Sequence, residues 1–125
     1  RRVVFNTLIG NADMRVKNWS LIYPDRRSAA LAPGYDFVST IPYIRDDNGA
    51  LTIGRSKRMD ALSMDELAYL AGKARLPEKL VLDTAANTVA RFQEAWASEK
   101  ANLPVASKVD QAIEANLKRI PIARE

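Results

Sequence analysis

The sequence predicts a mainly α (α+β) domain: a helical body with one small antiparallel β-hairpin near its functional edge. Three observations predict it. The second half carries three apolar runs with helical spacing. The strand-like stretches are few, short and confined to residues 19–53. Between the first apolar run and the first strand lies a polar loop, Asn11–Asn18 (NADMRVKN). At 125 residues the chain is one domain or part of one, long enough for a modest core.

Residues 1–10 place Val4, Phe5, Leu8 and Ile9 on one helical face, with Gly10 as the stop signal. With no methionine at its start, the chain reads as a fragment beginning inside a buried helix. After the polar loop, 19–23 (WSLIY) reads as a strand, Pro24–Arg27 as a turn and 28–32 (SAALA) as the return strand. Pro33-Gly34 breaks the chain. A turn at Asp46–Gly49 precedes a short strand, Ala50–Ile53. Ser63 and Glu66 form an S-x-x-E capping box for a helix with Leu67, Leu70 and Ala71 on one face. Pro77 sits at the first turn of a long helix to about Ala101, where Leu82, Ala85, Val89, Phe92 and Trp96 repeat at spacings of three and four. The last helix carries Val109, Ala112, Ile113, Leu117 and Ile120 and is stopped by Pro121.

Composition removes several chemistries. With no cysteine and no histidine, disulfides, Cys/His zinc sites, thiol nucleophiles and Ser-His-Asp triads are excluded. Catalysis must use carboxylates, amides, hydroxyls, Lys, Arg or a hard metal ion held by oxygen. No stretch approaches the roughly 20 apolar residues of a membrane span and no signal peptide is visible, so a cytoplasmic location with no membrane partner is expected. The net charge of +4 is unevenly spread. Residues 1–58 hold ten Lys/Arg against five Asp/Glu, while residues 59–125 hold nine against ten. Arg26-Arg27 and Arg55-Lys57-Arg58 are basic clusters that suit phosphate or nucleic acid, or equally an ordinary solvated loop. Trp19, Phe92 and Trp96 could stack on a base, but their spacing reads as core.

The chemistry-bearing pattern is Asp13-x-x-x-x-Asn18 at the start of a hairpin. A phosphotransferase loop needs that pair: the Asp accepts the proton of the attacking hydroxyl and the Asn oxygen holds magnesium. Each residue alone is common turn chemistry. The template also asks for a metal-binding Asp across the hairpin, and Asp36, followed by Phe37, stands there. Val38 occupies the position where a D-F-G motif has Gly.

FNTLIGNADMRVKNWSLIY, together with LAPGYDFVSTIPY, resembles the C-terminal lobe of HipA-like serine/threonine kinases, the toxin kinases of bacterial toxin–antitoxin pairs. The specific match covers residues 1–55; the helical part, 56–125, is compatible with it. The resemblance implies a helical C-terminal kinase lobe with the hairpin beside its catalytic loop. It implies Asp13 as catalytic base, Asn18 and Asp36 as magnesium ligands, and Asn11, Arg15 and Lys17 as loop-organising, phosphate or substrate contacts. Ser20 also matches the motif, as a structural residue. Arg15 is the departure, because the family usually has His there, and Arg is larger and permanently charged.

The resemblance further implies Mg2+, ATP as co-substrate, a protein substrate carrying Ser/Thr, and a helix-turn-helix antitoxin through which DNA is met only indirectly. No G-x-G-x-x-G and no V-A-I-K-like strand is present. The nucleotide-binding lobe is therefore expected upstream, and the fragment alone is expected to be inactive. A non-catalytic, pseudokinase-like binding module that engages an antitoxin or other partner is the competing reading.

Overall fold

The computed structural model describes residues 1–125. Its elements are α1 (Arg2–Leu8), β1 (Leu21–Ile22), β2 (Ala30–Leu31), β3 (Asn48–Ile53), β4 (Ser56–Arg58), α2 (Met64–Lys73), α3 (Glu78–Glu99) and α4 (Ser107–Arg119), with short 3₁₀ turns between them. The strands form two separate antiparallel pairs, β1–β2 and β3–β4. The mainly helical architecture is the one the sequence predicts, with a second hairpin added. No helix is long and apolar enough to cross a membrane.

The core forms where apolar faces meet. Val4 and Leu8 of α1 pack with Leu67 of α2, with Ala85 and Val89 of α3, and with Ile120 beyond α4. Periodicity identified all of these positions. It did not identify Ile122, which is fully buried, or Ala123. Pro121 does stop α4, but it also opens a 3₁₀ turn, Pro121–Ala123. That turn folds back so that Ile122 donates its N–H to the Leu62 carbonyl at 3.1 Å. Phe92 and Trp96 stack at 6.0 Å on the margin of this core, and Trp96 donates to Glu114 at 2.8 Å. Their aromatic faces serve packing, as expected.

Several local expectations change. Only two residues of each predicted strand pair in the first hairpin, Leu21 with Leu31 and Ile22 with Ala30. Asp25 accepts N–H groups from Arg27 (2.9 Å) and Ser28 (2.7 Å), so a broad turn absorbs the flanking residues. At the second hairpin, the predicted turn at 46–49 is only an Asx turn, with Asp46 accepting from the Asn48 N–H at 2.9 Å; Asn48 and Gly49 already belong to β3. Its partner β4 (SKR) shows no apolar alternation, which is why the sequence did not reveal it. Pro77 stands just before α3 as its N-cap, and the last predicted turn of that helix tightens to a 3₁₀ turn at Lys100–Asn102.

The capping box at α2 is half formed. Ser63 accepts the Glu66 N–H at 3.2 Å, but the Glu66 side chain does not return to Ser63. It reaches the tip of the second hairpin, accepting from the Arg55 N–H at 2.7 Å and from Arg55 Nε at 2.8 Å. Gly54 makes room for it: its φ is +68°, and a Cβ there would lie 2.3 Å from Glu66 Oε2. Arg55 also pairs with Asp65 and lies over the Tyr69 ring, while Arg58 pairs with Asp60 at 2.5 Å. The expected basic cluster at 55–58 is therefore largely neutralised by the protein's own carboxylates.

The end of α1 is fixed from the far end of the chain. Asn116, buried on α4, donates to the carbonyls of Thr7 (2.8 Å) and Leu8 (2.9 Å), groups that have no partner within the helix. Thr7 O also accepts the Gly10 N–H at 3.1 Å, so Asn116→Leu should leave the buried Leu8 carbonyl unpaired and cost about 1–3 kcal/mol, read as a lowered urea midpoint. The Arg55 backbone and then its guanidinium hold the Glu66 carboxyl below its usual 4.5. A depressed folded value means that this contact contributes fully above that pH and is lost as pH falls through the folded value. Glu66→Gln should flatten the acid limb of a stability-versus-pH profile without altering the neutral plateau's pH dependence.

Candidate active site

The polar loop starts where α1 ends. Gly10 has φ +67°, a left-handed turn in which a Cβ would strike Ile41 at 2.3 Å. Its carbonyl accepts from the N–H groups of Thr40 (3.1 Å) and Ile41 (3.2 Å), which ties the downstream loop beneath the turn. Thr40 Oγ1 in turn accepts the Ala12 N–H at 2.8 Å. Asn11 is the internal brace. It is 4% exposed, donates to Asn6 Oδ1 at 2.7 Å and accepts the Asp13 N–H at 3.0 Å. These bonds tie the loop to its own backbone and to α1.

Asp13 stands half-exposed beyond that brace. One carboxylate oxygen meets Arg15 Nε at 2.7 Å; the other has no protein partner. Arg15 thus organises the loop through the very carboxylate predicted to act as base. The pair is solvent-facing, with side chains 64% (Arg15) and 42% (Asp13) exposed, so it is a weak tie. A 3₁₀ turn, Val16–Asn18, follows. Asn18 Oδ1 accepts the Arg15 N–H at 3.0 Å and so pins the turn. The Lys17 side chain is exposed and makes no hydrogen bond or ion pair; the turn brings in only its carbonyl.

Across the first hairpin, Asn18 Nδ2 donates to Asp36 Oδ2 at 2.6 Å. Two residues separated by the whole hairpin are therefore in direct contact. Asp36 adopts φ +58°, a left-handed conformation that Asp tolerates better than most residues. Phe37 then packs edge-on against Phe5 at 5.2 Å, and Phe5 against Phe92 at 5.7 Å, so an aromatic chain anchors the Asp36 turn to α1 and α3. Sequence reasoning missed Tyr35. Its hydroxyl donates to the Lys17 carbonyl at 2.9 Å and contacts Ser20 Oγ at 2.6 Å, which ties the 3₁₀ turn to the Asp36 loop. It also gives Ser20 the structural role expected of it. No periodic signal in the sequence marks such a hydroxyl.

A small cleft opens between these loops, lined by Asn11, Asn18 and Asp36 together with Arg2, Trp19 and Phe37. Arg2 was also missed. It donates to the Ala32 carbonyl and lies 5.8 Å from the Trp19 ring centre. Arg2 Nη1 and Trp19 Nε1 are both buried without a partner, two spare donors in the cleft wall. Trp19 is thus a cleft-wall residue rather than a core one. Asp13 and Lys17 do not line this cleft.

No three carboxylates converge anywhere in the chain. A magnesium ion does not require that: it keeps several waters and takes one or two carboxylates plus substrate phosphates. Asp36 and the spare lone pair of Asn18 Oδ1 are hard oxygen donors of the right kind, and the unpaired donors beside them suit anionic oxygens. The donor set fits the ion.

A family model described as the HipA-like C-terminal domain matches residues 1–96. The chain is 59% identical over its whole length to Y4dM of Sinorhizobium fredii, a candidate kinase by name, of which it covers 31%. Over 51 residues, 41% of the chain, it is 45% identical to a candidate kinase of Haemophilus influenzae, covering 15% of that protein. Among solved structures it superposes on Shewanella oneidensis HipA, from a toxin–antitoxin complex with HipB and operator DNA. That match has a TM-score of 0.76 and 26% identity, and covers 94% of this chain and 29% of the other. The chain spans about a third of the length of these longer relatives. Tyr35→Phe should cost about 1 kcal/mol and speed amide exchange across Val16–Ser20, leaving the helices protected; unchanged exchange there would refute its bracing role.

Proposed function

The chain belongs to the HipA-like C-terminal domain family, and from that membership we propose that it is the base-and-metal half of a serine/threonine protein kinase. The nucleotide-binding half would come from the remaining two thirds of a parent of its relatives' length. The observation that carries this is the Asn18–Asp36 contact at 2.6 Å, with Asp13 five residues before Asn18 on the same braced loop. In the reaction, a Ser or Thr hydroxyl of the protein substrate attacks the γ-phosphorus of ATP. Its oxygen–phosphorus bond forms as the bond to the ADP oxygen breaks, and Asp13 accepts the hydroxyl proton. Asn18 and Asp36 would hold Mg2+, which supplies charge neutralisation on the phosphate oxygens when bound. Asn11 fixes the height of the Asp13 backbone, and Lys17 stands free for a phosphate or substrate contact. Alone, this half lacks the strand lysine and glycine-rich cover of a kinase and is inactive.

By analogy with the Shewanella complex, the parent associates with a helix-turn-helix antitoxin and meets DNA only through it. One observation favours the competing reading, a pseudokinase-like binding module: Arg15 occupies a carboxylate oxygen of the base. The two part on transfer. In the full-length parent, Asp13→Asn and Asp36→Asn should each lower phosphate transfer from radiolabelled ATP by about 10²–10⁴-fold, with folding intact by circular dichroism. Transfer retained in both variants would sink the mechanism. Binding of MgATP by the wild type without transfer would select the non-catalytic reading.

A further inference from the structure

An open groove separate from the Asn18–Asp36 cleft is lined in part by Arg15, the residue paired with Asp13. One wall is Ala12, Arg15 and Val16; the other is Asp46 and the run Asn48–Leu51 of β3. We propose that this groove holds the acceptor segment of the phosphorylated protein as an extended strand laid along β3, and that Asp46 selects a basic side chain in it. The proposal rests on the kinase reading above and names how that site takes its protein substrate.

Three observations carry it. First, β3 pairs only with β4, and no β4 residue lines the groove, so the groove follows the unpaired side of β3. A free strand edge offers a row of N–H and C=O groups on which an extended segment can add. Second, Arg15 lines the groove and its Nε lies 2.7 Å from Asp13 Oδ1; Asp13 itself is not in the lining, but an occupant that touches Arg15 comes within reach of the carboxylate proposed to accept the hydroxyl proton. That identifies the occupant as the hydroxyl-bearing segment rather than the nucleotide. Val16, 70% exposed, offers it an apolar contact.

Third, the charges of the groove do not cancel. Arg15 is paired with Asp13 at 2.7 Å. Asp47 is engaged by Arg119 at 2.5 Å and lies 4.0 Å from Arg58. Asp46 accepts only the Asn48 N–H and has no cationic partner, and Arg45 is not part of the lining. The uncompensated charge facing the occupant is a single carboxylate, so the complementary substrate carries Lys or Arg near its acceptor.

The test uses the full-length parent, radiolabelled ATP and a degenerate peptide library centred on Ser. The wild type should favour peptides with Lys or Arg near the acceptor by about two- to five-fold, the scale of an exposed ion pair. Asp46→Lys should reverse that preference toward Asp and Glu, and Val16→Glu should raise the peptide KM several-fold, both with the KM for ATP unchanged. Folded variants with wild-type preference and KM would overturn the groove assignment, as would a wild type blind to charge. A wild type that neither binds MgATP nor transfers phosphate overturns the kinase reading itself, and this proposal with it. ATP binding separates that failure from the other.

Discussion

Both amide protons of Asn116 go to the last carbonyls of α1, and the geometry of the site follows from that tie. A helix of seven residues has little cooperative stability of its own, and it ends among buried groups that water cannot reach. With Thr7 and Leu8 held by α4, the chain leaves α1 in one direction only, through the left-handed turn at Gly10. Thr40 and Ile41 then hang the downstream loop from the Gly10 carbonyl. The polar loop, the Asp36 loop and the C-terminal helix are thereby referred to a single point, although 109 residues separate Thr7 from Asn116.

Around that point the loops are held mostly by neutral amides rather than by charge. Asn6, Asn11 and Asn18 each use both ends of the carboxamide, donating from nitrogen and accepting at oxygen. A carboxamide can bridge two backbone segments without bringing a charge that must be compensated. The arrangement leaves Asp13 and Asp36 as the carboxylates of the region, with charges not consumed by scaffolding except where Arg15 touches Asp13. Tyr35 contributes in the same way, through a hydroxyl that serves two loops.

What the sequence revealed and what it concealed divide along physical lines. Helices α2, α3 and α4 were readable because burial repeats at 3.6 residues, and Ser63 announces the start of α2. Asp13, Asn18 and Asp36 stood out in the sequence because the proposed metal and base constellation would need particular groups in a particular order; of these, the structure brings Asn18 and Asp36 into contact. Strand β4 was not, since three polar residues on a solvated pair carry no periodic burial. Glu66 was misassigned for a related reason: S-x-x-E describes a local solution, and a long-range partner, the amide of Arg55, offers a better one. Arg2, Tyr35 and Asn116 act over separations of 30, 18 and 109 residues, where no local pattern can register. Ile122 lay hidden behind a proline read only as a stop.

The left-handed backbone at Asp36 bears on how this domain can change over generations. Among the twenty residues, Gly, Asn and Asp occupy that conformation at least cost, and of the three only Asp brings a charge. A lineage released from its chemistry can exchange Asp36 for Asn or Gly while the turn, the Phe37 anchor and the surrounding fold persist. On the proposed role of Asp36 as a magnesium ligand, position 36 would then record the loss of a reaction in a protein that still folds, and its identity in a relative would separate retained chemistry from retained architecture.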